Sequence, residues 1–279
     1  MAAVTTATRR DLNAKLGTEL DGVTLTGLDR SGLDELQQLA AERGVLFFRN
    51  QEMTLDEQVA FGRRLGELVV HPAAKAPDGH PEVLLVHTDA DSTYTAGEAW
   101  HTDVSCEARP PALSMLRIEQ APPVGGDTLW ASMYSAYDTL SPSMQEYLAT
   151  LTAVHRGDKA YRQYGYSGDR EFPVSEHPVV RTHPLTGRRA LYVNSGFTSH
   201  ITQLTARESS ALLRFLYDHI AYGVLFQVRF HWEPGSVAIW DNRCVQHHAS
   251  WDYFPETRHG YRVTTRGETP YLAAQGETP

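Results

Sequence analysis

Two histidine–carboxylate pairs occur at the spacing i, i+2: His87-Thr88-Asp89 and His101-Thr102-Asp103. Residues two apart on a strand point to the same face, so either pair can offer an imidazole and a carboxylate to one metal ion. With a distant histidine, that set makes the facial triad of non-heme iron(II) oxygenases, which leaves coordination positions open for chemistry. His-x-Asp also arises by chance, and at least one of the two tripeptides is expected to be a decoy.

The neighbouring residues break the tie. The second pair stands in Trp100-His101-Thr102-Asp103-Val104, followed by Pro123-Val124-Gly125-Gly126-Asp127-Thr128-Leu129-Trp130. Near the C-terminus come Trp240-Asp241-Asn242-Arg243-Cys244-Val245-Gln246-His247-His248, then Asp252-Tyr253, Arg258 and Arg262. With these motifs in this order the chain resembles the taurine dioxygenase family of iron(II)- and 2-oxoglutarate-dependent dioxygenases, from about Leu16 to Pro270. The resemblance implies a double-stranded β-helix (jelly roll) core, with iron(II), 2-oxoglutarate and O2 as the reacting set. It implies His101, Asp103 and His247 as the iron ligands. It also implies Thr128 and Arg262 as the holders of the distal carboxylate of 2-oxoglutarate, with Arg258 nearby. A guanidinium suits that task because it meets a carboxylate in a planar, bidentate manner. A homo-oligomer, dimer or tetramer, is a further implication.

On the substrate side, the resemblance matches His71 to the family's sulfonate-binding histidine and Val104 and Phe197 to apolar pocket positions, with Arg262 close enough to assist. Two departures stand out: Ala74 replaces a tyrosine, and Gly97 replaces an asparagine four residues before His101. Both changes remove polar contacts and enlarge the pocket, which argues against taurine itself. His71-Pro72-Ala73-Ala74 is more similar to the alkylsulfatase branch. The expected substrate is therefore a small organic anion, an alkyl sulfonate or alkyl sulfate ester, hydroxylated at the carbon next to the heteroatom. An aryloxy acid or a natural-product intermediate is the alternative within the same chemistry. A zinc-dependent hydrolase built on His101, Asp103 and His247 is the alternative from another class, but it gives Thr128 and Arg262 nothing to do. A silent binding module would need no three-ligand set.

Nearby residues with similar chemistry are read as structural. Adjacent strand residues face opposite ways, so His248 is a packing or surface residue beside His247. Cys106 and Cys244 sit three residues from Asp103 and His247, an odd offset that turns each thiol away, and both read as small buried hydrophobes.

The positioning elements follow from local signals. Ser31 reads as the cap of a helix running to Arg43 with Gly44 as its stop, and Thr54 with Glu57 forms a capping box for a helix ending near Gly66. Ser141-Pro142 opens another, and Thr205 with Glu208 caps a fourth. Val45–Phe48, Val83–Val86, Ala190–Val193, Phe226–Trp232, Val237–Trp240 and Tyr261–Thr264 read as strands. Arg262 lies in an alternating run, where one face should be inside. The segment from about Gly157 to Glu176, rich in Gly, Tyr and charges, reads as a mobile loop. Together these give a mainly β chain with helical additions, a sandwich or jelly roll, and no linker divides residues 1–279.

Composition narrows the partners. The 279 residues carry 25 Lys+Arg against 34 Asp+Glu, a net charge of −9, which disfavours nucleic acid. No apolar run is long enough for a membrane span, and no apolar stretch follows the two N-terminal arginines as a secretory signal would require. Two cysteines cannot make a disulfide framework, which points to a reducing, cytoplasmic setting. Of the 13 histidines, three are singled out: His71, His101 and His247.

Overall fold

Val45-Leu46-Phe47-Phe48 is apolar at every position because its strand is covered on both faces, and all four side chains are fully buried. The computed structural model of the protein describes residues 4–71, 76–161 and 171–274. Ala74 and the middle of the expected mobile loop, residues 162–170, lie outside the described residues. The two ends of that loop are ordered elements, a short helix and a strand, in place of the expected coil.

The strands, in chain order, are β1 (Thr8–Asp11), β2 (Thr18–Asp21), β3 (Val45–Phe48), β4 (Val83–Thr88), β5 (Pro111–Gln120), β6 (Thr128–Ser132), β7 (Thr152–Arg156) and β8 (Val174–Pro178). They continue with β9 (Val180–Thr182), β10 (Arg189–Leu191), β11 (Thr198–Ile201), β12 (Gln227–Phe230), β13 (Val237–Asp241), β14 (Val245–Ala249) and β15 (Arg258–Arg266). The helices are α1 (Arg30–Arg43), α2 (Leu55–Leu65), α3 (Met133–Asp138), α4 (Pro142–Leu148), α5 (Gly157–Tyr161) and α6 (Ala206–Ala221).

Local chemistry explains the helix ends. Both expected capping boxes form, Thr54 with Glu57 on α2 and Thr205 with Glu208 on α6. Ser141 caps α4 with Pro142 in its first turn. The α1 cap differs from expectation: Asp29, not Ser31, accepts the Gly32 N–H, and Ser31 lies inside the helix. Gly44 ends α1 at φ 74°, as a left-handed stop should.

The larger sheet runs β1-β2-β3-β13-β5-β15-β4. Strand alternation divides its side chains cleanly between two cores. Val45, Phe47, Leu116, Ile118, Ala238 and Trp240 face inward against Trp130 of β6 and Val228 and Phe230 of β12. Their neighbours Leu46, Phe48, Leu113, Met115, Val237, Ile239 and Val263 face outward against Leu33, Leu36 and Leu39 of α1 and Val59 and Phe61 of α2. A second sheet, β12-β6-β14, closes over the inner face, and Phe47 stacks on Phe230 across the gap with ring centroids 4.1 Å apart. Each fully buried aromatic or aliphatic side chain contributes roughly 1.5–3 kcal/mol by leaving water. The chain is thus strand-rich with helical additions, and β14 and β15 bring the C-terminal motif residues over this inner core.

Candidate active site

The His101 and His247 backbones meet as a β-bridge, with the His101 N–H donating to the His247 carbonyl at 3.1 Å and the reverse bond at 2.9 Å. That direct pairing across the ladder sets the imidazoles 4.1 Å apart between ring centroids. Asp103 does not reach the pair by the continuous-strand geometry expected from the His-x-Asp spacing. Only His101 makes a bridge, and the chain turns from Asp103 onward, with Val104 at a left-handed φ of 42°. The turn still delivers the carboxylate: Asp103 Oδ1 lies 3.8 Å from Nε2 of His101 and 3.8 Å from Nε2 of His247.

Four residues fix that carboxylate, directly or through one another. Ser114 on β5 donates its hydroxyl to Asp103 Oδ2 at 2.7 Å. Asn242 accepts the Asp103 backbone N–H at 3.3 Å and donates its amide to Ser114 Oγ at 2.9 Å. Trp240 Nε1 donates to the same Asn242 oxygen at 3.1 Å, which locks the amide's orientation. The Arg262 guanidinium donates to Asp103 Oδ1 at 2.7 Å. Burial alone would raise the Asp103 carboxyl; Arg262 first, then the two histidines and Ser114, hold it well below the usual carboxylate range instead. Burial pushes both His101 and His247 down, so each is a neutral imidazole with a lone pair to give. His101 donates Nδ1–H to the Ala99 carbonyl at 2.7 Å, which leaves Nε2 as its ligand atom. One ligand atom from each of the three residues lies within 4.8 Å of the others. Neutral nitrogens and an ionised carboxylate converging on one point are the donor set a divalent iron ion requires.

A second group, His183, Asp241 and Cys244, is equally compact but is already satisfied. Arg243 grips Asp241 through two bonds of 2.8 and 2.6 Å, and His183 Nε2 adds a third contact at 3.0 Å. That network anchors the loop carrying Asn242. Cys244 and Cys106 are both fully buried, as expected, and burial pushes the Cys106 thiol up to about 12. His248 packs against Trp100, away from His247, at 5.6 Å between ring centroids. His87 pairs with Asp89 at 3.1 Å on the outer face of edge strand β4, away from the triad.

The structure separates the two arginines differently from the expectation. Thr128 Oγ1 receives Arg258 Nη2 at 3.3 Å and Trp232 Nε1 at 3.0 Å, whereas Arg262 lies on Asp103. The expected pairing of Thr128 with Arg262 is therefore corrected: Arg258 is the guanidinium at Thr128. An offset of four keeps both on the inner face of β15 but about 13 Å apart along it, at roughly 3.3 Å per residue. Arg258 is 4% exposed, its Nε has no acceptor, and among the described residues it has no ion-pair partner. Burial lowers its pKa, with Tyr253 and Asp127 opposing. The glycines of the preceding turn bring Thr128 in: Gly125 has φ 80°, and a Cβ there would come within 2.6 Å of Asp252.

Beyond the triad an apolar wall forms from Val104, Cys106, Ala160, Tyr161 and Phe197, with Phe172 packed against it. Tyr161 meets Phe197 edge-on at 5.9 Å and His71 edge-on at 5.7 Å. His71 is pushed down to about 4, by burial first and by Arg262 second, so it is a neutral ring and not a cation. Gly97 presses on the first histidine: a Cβ there would lie 3.2 Å from His101 Cε1, and its φ is 94°. Sequence reasoning missed Ser114, Asn242, Trp232 and Tyr161. The Trp-Asp-Asn-Arg motif pointed at Asn242, but nothing local marked Ser114.

Residues 8–264 match the family model described as "Taurine catabolism dioxygenase TauD, TfdA family". The chain belongs to the TauD/TfdA family. It is 39% identical over 280 residues to an alpha-ketoglutarate-dependent sulfonate dioxygenase of Saccharomyces cerevisiae, covering 94% of this chain and 67% of that one. It is 36% identical to an alpha-ketoglutarate-dependent sulfate ester dioxygenase of Pseudomonas putida, covering 92% and 88%. A taurine dioxygenase crystal structure from Burkholderia xenovorans superposes with a TM-score of 0.83 at 38% identity, over 95% of this chain and 93% of that one. This TauD/TfdA member is an alpha-ketoglutarate-dependent dioxygenase that uses iron(II), 2-oxoglutarate and O2 on a small-molecule substrate. No helix among its described residues is long and apolar enough to cross a membrane.

Proposed function

We propose that this dioxygenase hydroxylates a small organic anion, an alkyl sulfonate or alkyl sulfate ester, at the carbon bonded to the heteroatom. The observation that carries the reading is the pair of inward guanidinium groups on β15, one of them without a counter-ion among the described residues. Two separated cations suit two anions: the co-substrate's distal carboxylate and the substrate's own charged group. In this reading residues 1–279 are a single dioxygenase domain, and the two facing sheets are its jelly-roll core.

His101, Asp103 and His247 would hold the iron, which would supply the oxygen chemistry. The remaining tasks belong to the chain. Arg258 and Thr128 take the distal carboxylate, with Trp232 Nε1 fixing the threonine hydroxyl. Arg262 and the neutral His71 orient the substrate anion, while Val104 and Phe197 wall off its apolar part and exclude water. Ser114 and Asn242 keep Asp103 from rotating. One oxygen atom enters the substrate C–H bond and the other ends in succinate as CO2 leaves; the hydroxylated carbon then collapses to a carbonyl and releases sulfite or sulfate. The edge-on Tyr161–Phe197 contact also offers a surface for a flat ring, which keeps aryloxy acids as the second reading.

The test is a panel of alkyl sulfonates, alkyl sulfate esters and aryloxy acids, with taurine included, scored by succinate formed per substrate consumed. Coupled turnover is expected for anions with an apolar chain larger than taurine's and not for their uncharged isosteres. Turnover of taurine alone, or equal turnover of neutral analogues, would overturn the assignment.

A further inference from the structure

The two His-Thr-Asp tripeptides share more than their sequence, since each sets its histidine directly across a ladder from a second histidine. His101 faces His247 in the buried site, and His87 on β4 faces His259 on β15 in register. In the second pair the two Nδ1 atoms approach to 3.2 Å, with ring centroids 5.2 Å apart and planes at 75°. The opposite nitrogens are both engaged. His87 Nε2 lies 3.1 Å from Asp89 Oδ2, and His259 Nε2 lies 3.2 Å from the Tyr261 hydroxyl, with Glu119 Oε2 at 3.8 Å. Glu119 in turn takes Arg117 at 2.7 Å.

The Nδ1 separation is that of a chelate. Two imidazole nitrogens bound at about 2.0–2.1 Å to one tetrahedral ion stand about 3.3 Å apart, close to the observed 3.2 Å. A carboxylate on the far nitrogen, as Asp89 is on His87, is the usual outer partner of a metal-binding histidine: it holds the proton on Nε2 and turns the Nδ1 lone pair toward the ion. We propose that His87 and His259 form a second, surface site for one divalent transition-metal ion of the zinc, nickel or copper class. Both Nδ1 atoms bind it, Asp89 and Tyr261 orient the rings, and water fills the remaining positions. Imidazole donors select these ions over magnesium or calcium. The site is open to solvent, with the His87 and Asp89 side chains 39% and 36% exposed. An ion there ties edge strand β4 to β15 beside Arg258.

The experiment titrates the full chain with Cu2+ or Zn2+ alone. With the internal triad silenced by His101→Ala and His247→Ala, one Cu2+ per chain is expected, with a two-nitrogen signature in electron paramagnetic resonance. Adding His87→Ala or His259→Ala should each cost at least tenfold in affinity, and both together no more than either alone, because a chelate is lost whole. Asp89→Asn should weaken binding by about 10-fold, the low end for an outer partner. In the wild-type background, zinc stoichiometry should fall by one with His87→Ala, a comparison that stands even if the triad variants do not fold. Unchanged stoichiometry with His87→Ala, or single losses that multiply in the double variant, would overturn the site.

Discussion

Arg258 and Arg262 should respond to removal with opposite signs in stability. Arg258 is fully desolvated, holds Thr128 Oγ1 at 3.3 Å, leaves Nε without an acceptor and has no ion-pair partner among the described residues. A buried charge of this kind costs several kcal/mol, and replacement by an apolar group of similar length typically recovers about 1–4 kcal/mol. Arg258→Met should therefore raise Tm in the absence of 2-oxoglutarate, at roughly 2–4 °C per kcal/mol for a chain of this size. The same change removes a charge-assisted bond to the co-substrate, which is worth about 1.5–3 kcal/mol and hence roughly 10- to 150-fold in 2-oxoglutarate affinity. Arg262→Met has the reverse effect on stability: it strips Asp103 of its 2.7 Å partner and leaves a carboxylate buried beside two neutral histidines. Breaking such a pair costs about 3–5 kcal/mol. Thermal melts of both variants with and without saturating 2-oxoglutarate, together with 2-oxoglutarate titrations, provide the check. A destabilised Arg258→Met with undiminished 2-oxoglutarate affinity would refute the reasoning, because the guanidinium would then be structural.

Ser114→Ala removes the hydroxyl donated to Asp103 Oδ2 at 2.7 Å; it should weaken iron(II) or cobalt(II) binding by roughly 10- to 100-fold, as read by metal titration, and lower stability by about 1–3 kcal/mol because a buried carboxylate oxygen loses its donor. Acid should destabilise the protein through its buried histidines. Burial holds His177 at about 4 against an ordinary 6.5, so between those values the unfolded chain binds the proton that the folded chain refuses. Its contribution is full above pH 6.5, is lost as pH falls toward 4 and amounts to about 3 kcal/mol. Tm measured across that window should fall with pH, and His177→Gln should flatten the slope.

Features carried by neighbouring residues were legible in the sequence, and features that depend on remote packing were not. The capping boxes Thr54/Glu57 and Thr205/Glu208 are closed within four residues, so pattern alone finds them. Ser31 misled because Asp29, two residues earlier, is an equally good cap. Strand β5 escaped notice although eight of its ten residues are buried. Ala112, Leu113, Met115, Leu116, Arg117, Glu119 and Gln120 carry no strand preference, and only the flanking β13 and β15 make that segment extended. The triad was legible as residue types in order, yet the geometry expected for it was wrong: a bridge at His101 and a turn at Val104, not a strand, bring Asp103 to the histidines. Ser114 is a neutral residue in an unmarked strand and announces nothing until Asp103 lies on it. The arginines are the sharpest case. Spacing of four says only that Arg258 and Arg262 share a face; which one meets Thr128 depends on where β6 lies against β15. A buried cation's role follows from what it does or does not touch, so the distinction between the two anion sites exists only once the fold has placed Asp103 in an ion pair with one arginine and, among the described residues, no ion-pair partner on the other.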